Sequence, residues 1–100
     1  MAVIGYTSGM ILIKKESLLM ALSLDLKRVA LASYKHSFKV ADTFIQESLA
    51  KKNKIDASQE RPHVKRLLTR LDDMLSQKDT AKLAEDALLY STLLQNAALK

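Results

Sequence analysis

Residues that break helices are almost absent from this chain of 100 residues. Glycine occurs only at positions 5 and 9 and proline only at position 62, so neither type interrupts residues 10–61 or 63–100. Strand-rich folds need many tight turns, and those turns rely on glycine and proline. The sequence therefore predicts an all-α fold. Its length suits one domain, which we assign to residues 13–100, with an N-terminal arm at residues 1–12.

A first helix is predicted over residues 13–52. Apolar or small residues occur at positions 18, 22, 26, 29, 33, 37, 40, 44 and 48, a spacing close to the helical period. An unbroken helix of this length would extend about 60 Å, far more than a compact domain of this size. The core of this main stripe is expected to consist of Leu18, Leu22, Leu26, Val29, Val40 and Phe44.

Two shorter helices are predicted over residues 61–77 and 80–99. Only Lys78 and Asp79 separate them, so they should form an antiparallel hairpin. We expect Asp79 to cap the second of them, Asp56 or Ser58 to cap the first, and Pro62 to lie in its first turn. The inner faces are predicted to be Val64, Leu67, Leu68, Leu71, Met74 and Leu75 on one helix, and Leu83, Ala87, Tyr90, Leu94 and Ala98 on the other.

A second apolar row runs along the first helix, roughly opposite the main stripe. Large apolar residues repeat every seven positions, which is typical of a seam between helices. If the helix breaks near residues 33–37, the chain forms a four-helix up-down bundle that surrounds the row. If it stays continuous, it packs on the hairpin as one of three helices and buries the row against a second copy. Because no glycine or proline marks a break, the sequence favours the long helix and a homodimer. The predicted oligomer seam is Met20, Leu24, Leu31, Tyr34, Phe38 and Ile45.

The middle of the chain is basic. Residues 26–70 contain eleven lysines and arginines against four acidic residues, whereas residues 71–100 contain three against five. Such a segment suits an anionic partner, and the predicted anion-contact patch is Arg61, His63, Lys65, Arg66 and Arg70. In a helix-turn-helix made from the hairpin, the last helix would enter the DNA groove. That helix carries Glu85 and Asp86, which repel phosphate, so nucleic acid is the less favoured partner.

No catalytic, metal-binding or cofactor-binding residue is predicted. The chain has no cysteine and only two histidines, without metal-ligand spacing, and no glycine-rich loop for a phosphate. The acidic pairs at 72–73 and 85–86 diverge by about 100° on a helix. No transmembrane segment or secretory signal is predicted, because the apolar run at residues 1–13 is too short and lacks a basic region before it.

These features favour a cytoplasmic, non-enzymatic helical bundle that works through protein–protein interaction, as an adaptor, regulator or chaperone-like protein. One alternative is a basic nucleic-acid-associated regulator, whose binding would weaken steeply with salt. In size, charge and lack of cysteine the chain also suits a bacteriocin-immunity-like helical bundle or a small secretion chaperone, an analogy of class alone.

Overall fold

The computed structural model describes the backbone of residues 14–99 and the side chains of residues 18–99. The predicted N-terminal arm, residues 1–12, lies outside this part. The described chain forms four α-helices and no strand: α1 (Lys14–Tyr34), α2 (Phe38–Asn53), α3 (Pro62–Ser76) and α4 (Thr80–Leu99). One turn of 3₁₀-helix, Ala57–Gln59, lies between α2 and α3. The all-α prediction is confirmed, in its four-helix form.

The long first helix is wrong, because the chain turns back between α1 and α2. His36 has a left-handed backbone, with φ of 57°. The amide of Ser37 donates to the carbonyl of Ala32 at 2.8 Å, and that of His36 donates to the carbonyl of Ser33 at 3.1 Å. This pair of bonds is the Schellman arrangement that ends helices. Glycine is the usual residue there, but histidine is among the other types that enter the left-handed region more often than average.

The break also changes which residues of α2 face the core. Val40 was predicted to belong to the main stripe, but its side chain is 48% exposed. Ala41 is buried in its place, while Ser48 and Phe44 of the predicted stripe do face the core, Ser48 fully and Phe44 partly. The turn at residues 35–37 thus shifts the buried face of α2 relative to that of α1 without abolishing the period.

The core lies between α1, α3 and α4. Its fully buried large side chains include Leu22, Leu26 and Val29 of α1, which were predicted from the main stripe. The most extensive helix contact joins α1 to α4. There the Ser91 hydroxyl donates to the carbonyl of Ser23 at 2.7 Å. A side chain as short as serine reaches a neighbouring backbone only where two helices pass closely.

The predicted α3–α4 hairpin is present and antiparallel. At one end the Arg61 guanidinium donates to the carbonyl of Ala97 at 2.7 Å, and at the other the Gln77 amide donates to the Asp86 carboxylate at 3.0 Å. On α3, Val64, Leu68 and Leu71 are fully buried and Met74 and Leu75 nearly so, while Leu67 is half-buried. On α4, Leu83, Ala87 and Leu94 are buried, with Tyr90 and Ala98 half-buried.

The ends of the hairpin helices agree with the prediction in part. Asp79 caps α4, since its carboxylate accepts from the Lys82 amide at 3.1 Å. Pro62 is the first residue of α3. The predicted capping of α3 by Asp56 or Ser58 is wrong: Asp56 instead caps the 3₁₀ turn, accepting from the Ser58 amide at 3.1 Å.

Candidate interaction surfaces

The outer face of α1, which we define as Met20, Leu24 and Leu31, points away from the core. Leu24 is 44% exposed and Leu31 49%, while Met20 is half-buried. The three residues lie within about 40° of one another around the helix axis. Lys27 lies on the same side and is exposed. The structure therefore leaves an apolar row about three turns long without a covering element among the described residues.

The other members of the predicted oligomer seam are separated from this row by the break. Tyr34, at the end of α1, is 54% exposed, and Phe38, at the start of α2, is 52% exposed. Ile45 is partly buried against the chain's own core. The seven-residue spacing is thus divided between two helices and does not form one straight line.

Helix α4 adds exposed leucines that the sequence reasoning missed. Leu88 is 40% exposed and lies one turn from Ser91, the residue that contacts α1, so it borders the outer face of α1. Leu89, 54% exposed, lies about 160° from Ser91 and points away from α1. Neither leucine belongs to the spacing of the predicted inner face of α4. A large apolar residue outside that spacing was the feature of the sequence that could have indicated an exposed side chain.

The turn between α1 and α2 forms what we call the basic-apolar tip, residues 34–40. All seven residues are exposed. Three large apolar side chains alternate with three basic ones, and the His36 and Phe38 rings meet edge to face with centroids 5.7 Å apart. Residues 26–41 contain four lysines and arginines and no acid. The members of the tip, apart from Ser37, are Tyr34, Lys35, His36, Phe38, Lys39 and Val40.

A buried ion pair joins α1 to α2, and it too was missed. The Asp25 side chain is 3% exposed; its carboxylate accepts a hydrogen bond from the Lys51 ammonium and another from Arg28 at 3.3 Å. The hydrogen bond to Asp25, opposed by burial, raises the pKa of Lys51 above 10.5. Arg28 also lies over the Phe44 ring, 5.4 Å from its centroid. The pair links the two helices alongside the apolar packing of Phe44 and Ile45. The position of Asp25 among the buried residues of α1 was the feature of the sequence that could have indicated a buried ion pair.

The predicted anion-contact patch is only partly assembled. Arg61 is used at the end of α4, where it holds the Ala97 carbonyl. His63, Lys65, Arg66 and Arg70 are exposed. On the α3 helix Lys65 points about 100° or more away from the other three. Arg66 and Arg70 form no ion pair with any residue that the structure describes. The patch stays a prediction, now resting on His63, Arg66 and Arg70.

A shallow groove of about 350 Å³ lies between α3 and α4. Its lining is Arg70, Asp73, Met74, Gln77, Asp86 and Tyr90. The Asp86 carboxylate is engaged by Gln77 at 3.0 Å and by Lys82 at 3.7 Å. The remaining charged groups of the lining, Arg70 and Asp73, are exposed to solvent, so the groove contains no buried polar group without a partner that would indicate a ligand.

Residues 14–99 contain no cluster of His, Cys, Asp and Glu side chains suited to a metal ion. None of the helices in this part of the chain is long and apolar enough to cross a membrane. Comparison with protein-family models, with curated proteins and with solved structures gives no match. The exposed surfaces are therefore the features of the molecule that bear on its function.

Proposed function

We propose that this chain is a non-enzymatic helical-bundle protein that acts through protein–protein contact, and that the outer face of α1 binds a second copy of itself. The observation that carries the proposal is the exposure of Leu24 and Leu31, at 44% and 49%, one above the other on a single helix. Exposed leucines are common singly on a protein surface, whereas an ordered row of them is typical of an interaction site.

The geometry of α1 supports a helix-to-helix contact. Residues seven apart lie about 10.5 Å apart along an α-helix, so Leu24 and Leu31 form consecutive contacts of a coiled-coil type. In a two-fold symmetric dimer the row of one copy packs against the same row of the other. Each leucine position therefore contributes two buried side chains, one from each copy. Leu88 of α4 widens the apolar surface at one edge. Lys27 has a stem long enough to cover apolar surface while its charge stays in water.

Burial of a leucine contributes roughly 1.5–3 kcal/mol, and association has costs of its own. A contact made by two leucines and their neighbours from each copy is therefore expected to give a reversible dimer. This contact is smaller than the six-residue seam predicted for a continuous helix, because Ile45 is packed within the chain and Phe38 lies beyond the turn.

Sedimentation velocity over a wide range of concentration tests the proposal. We expect the wild-type chain to dimerise, and Leu31→Glu to be a folded monomer because its charge replaces an exposed side chain. The matched control is Leu89→Glu, which places the same charge at an equally exposed leucine on the far side of α4; this variant should still dimerise.

Two results would refute the self-association. One is a wild-type chain that remains monomeric throughout the range. The other is a dimer that tolerates Leu31→Glu, since its contact would then lie elsewhere. Circular dichroism of each variant establishes that helical content is retained.

A further inference from the structure

We infer that the basic-apolar tip is a docking surface for an anionic phospholipid membrane. The inference goes beyond self-association of α1 and uses different residues. It rests on two properties that the turn at His36 brings together at one end of the α1–α2 hairpin: exposed apolar side chains, and positive charge within a segment, residues 26–41, that contains no acid.

The apolar part of the tip consists of Tyr34, Phe38 and Val40, which are 54%, 52% and 48% exposed. Three large side chains exposed within seven residues concentrate apolar surface at this end of the hairpin, and such concentrations mark interaction sites more often than single exposed residues do. Tyrosine and phenylalanine are suited to the boundary between lipid head groups and acyl chains. Since they lie at the end of a hairpin and not along its side, they can enter a membrane without displacing either helix.

The charged part consists of Lys35 and Lys39, with His36 between them. Neither lysine forms an ion pair with a residue in the described part of the chain. The nearest acids in sequence are Asp25, which is buried against Lys51, and Asp42, which is exposed one turn after Lys39 and forms no ion pair with it. The tip itself therefore carries two lysines and no acid. Basic residues beside an apolar anchor attract anionic lipid, and this attraction operates only within about a Debye length of the surface. The lysines of the tip meet that condition because they flank the side chains that would insert.

A membrane fits these residues better than a nucleic acid does. Bases stack on aromatic rings and phosphates pair with lysine, so single-stranded nucleic acid would use Tyr34, Phe38 and the lysines. A nucleic acid offers no apolar contact to the aliphatic Val40, and the Phe38 ring already contacts the His36 ring. Acyl chains accept all three apolar side chains, and the phosphates of the head groups accept the lysines.

Vesicle co-sedimentation tests the inference, using the full chain with vesicles of phosphatidylcholine alone and of phosphatidylcholine mixed with phosphatidylserine. We expect binding to the mixed vesicles only, and weaker binding as salt is added. Replacing both lysines of the tip, Lys35→Gln with Lys39→Gln, should weaken partitioning roughly thirtyfold, from the contribution of a basic residue near an anionic surface.

The matched control is Lys65→Gln with Lys78→Gln, which removes the same charge from the start of α3 and from the connection between α3 and α4, both at exposed positions. It should bind as the wild type does. A second test variant, Phe38→Ser with Val40→Ser, leaves the charge unchanged and should also lose binding to mixed vesicles. All of these positions are exposed, so folding should be retained, which circular dichroism checks.

Equal losses in the tip and control charge variants would mean that net charge alone attracts the chain, and would overturn the inference. Failure of the wild type to bind mixed vesicles would overturn it as well. If single-stranded RNA binds where vesicles do not, and the tip variants lose that binding, the surface belongs to nucleic acid instead.

Discussion

The helix break at His36 can be tested by comparing two substitutions at that one position, His36→Gly and His36→Ala. In the structure this residue has a φ of 57°, a conformation that glycine adopts freely and alanine does not. In an unbroken helix the preference would be reversed, because alanine is the best helix former and glycine a poor one. The two architectures therefore predict opposite orders of stability.

The expected size of the difference follows from two opposing contributions. A left-handed backbone costs a residue with a β-carbon about 1–2 kcal/mol. Glycine loses about 0.4–1 kcal/mol more conformational entropy on folding. The glycine variant should thus be more stable than the alanine variant by roughly 0.5–1 kcal/mol. A continuous helix would make the alanine variant more stable by about 1 kcal/mol. Both substitutions remove the ring contact with Phe38 equally, so that loss cancels.

Urea unfolding followed by far-ultraviolet circular dichroism measures the difference, on the condition that the transition is two-state. Gln46, exposed within α2, supplies the control: there Gln46→Ala should be more stable than Gln46→Gly by about 1 kcal/mol. A reversal of sign between positions 36 and 46 supports the break. If alanine is preferred at both positions, the turn does not exist in solution and the long helix has to be reinstated.

Two further predictions concern the core and the buried ion pair. Leu71→Ala should destabilise the fold by about 2–5 kcal/mol because Leu71 is fully buried, and half-buried Leu67→Ala should cost clearly less in the same urea assay; equal losses would mean that α3 is rotated. Because the hydrogen bond to Asp25 raises the pKa of Lys51 above 10.5, its contribution to stability should be complete below that pH and decline as the pH rises through the folded-state pKa. The difference in stability between the wild type and Lys51→Met should therefore shrink at alkaline pH; a difference that stays constant would contradict a charged link.

The hairpin of α3 and α4 could be predicted from the sequence because its signals are local and agree with one another. Pro62 begins one helix, and Asp79 caps the next. The buried residues of α3 lie on one face of the helix and its charged residues on the other. Where capping residues, apolar spacing and helix-breaking residues indicate the same boundaries, the local sequence is enough to predict the helices.

The α1–α2 turn could not be predicted in the same way. Its chain reversal has no glycine, and the residues around it continue the helical period of α1 for another four turns. Only the burial of Ala41 and the exposure of Val40 distinguish the two arrangements, and such contacts cannot be read from spacing. The Asp25–Lys51 pair spans 26 residues in sequence, so its partner was equally hidden.

The break in the first helix and the candidate membrane surface have one physical cause. In a continuous helix Val40 would share a buried face with Val29, and Phe38 would continue the row of Leu24 and Leu31. The turn at His36 takes Val40 out of the core and places it, with Phe38, in the first turn of α2 at the end of a hairpin, where both side chains are about half exposed. That exposure lowers the stability gained from burial, and no described residue compensates for it. The same turn therefore shortens the helical row available for self-association and creates the apolar tip, so a variant that straightened the helix should alter both surfaces together.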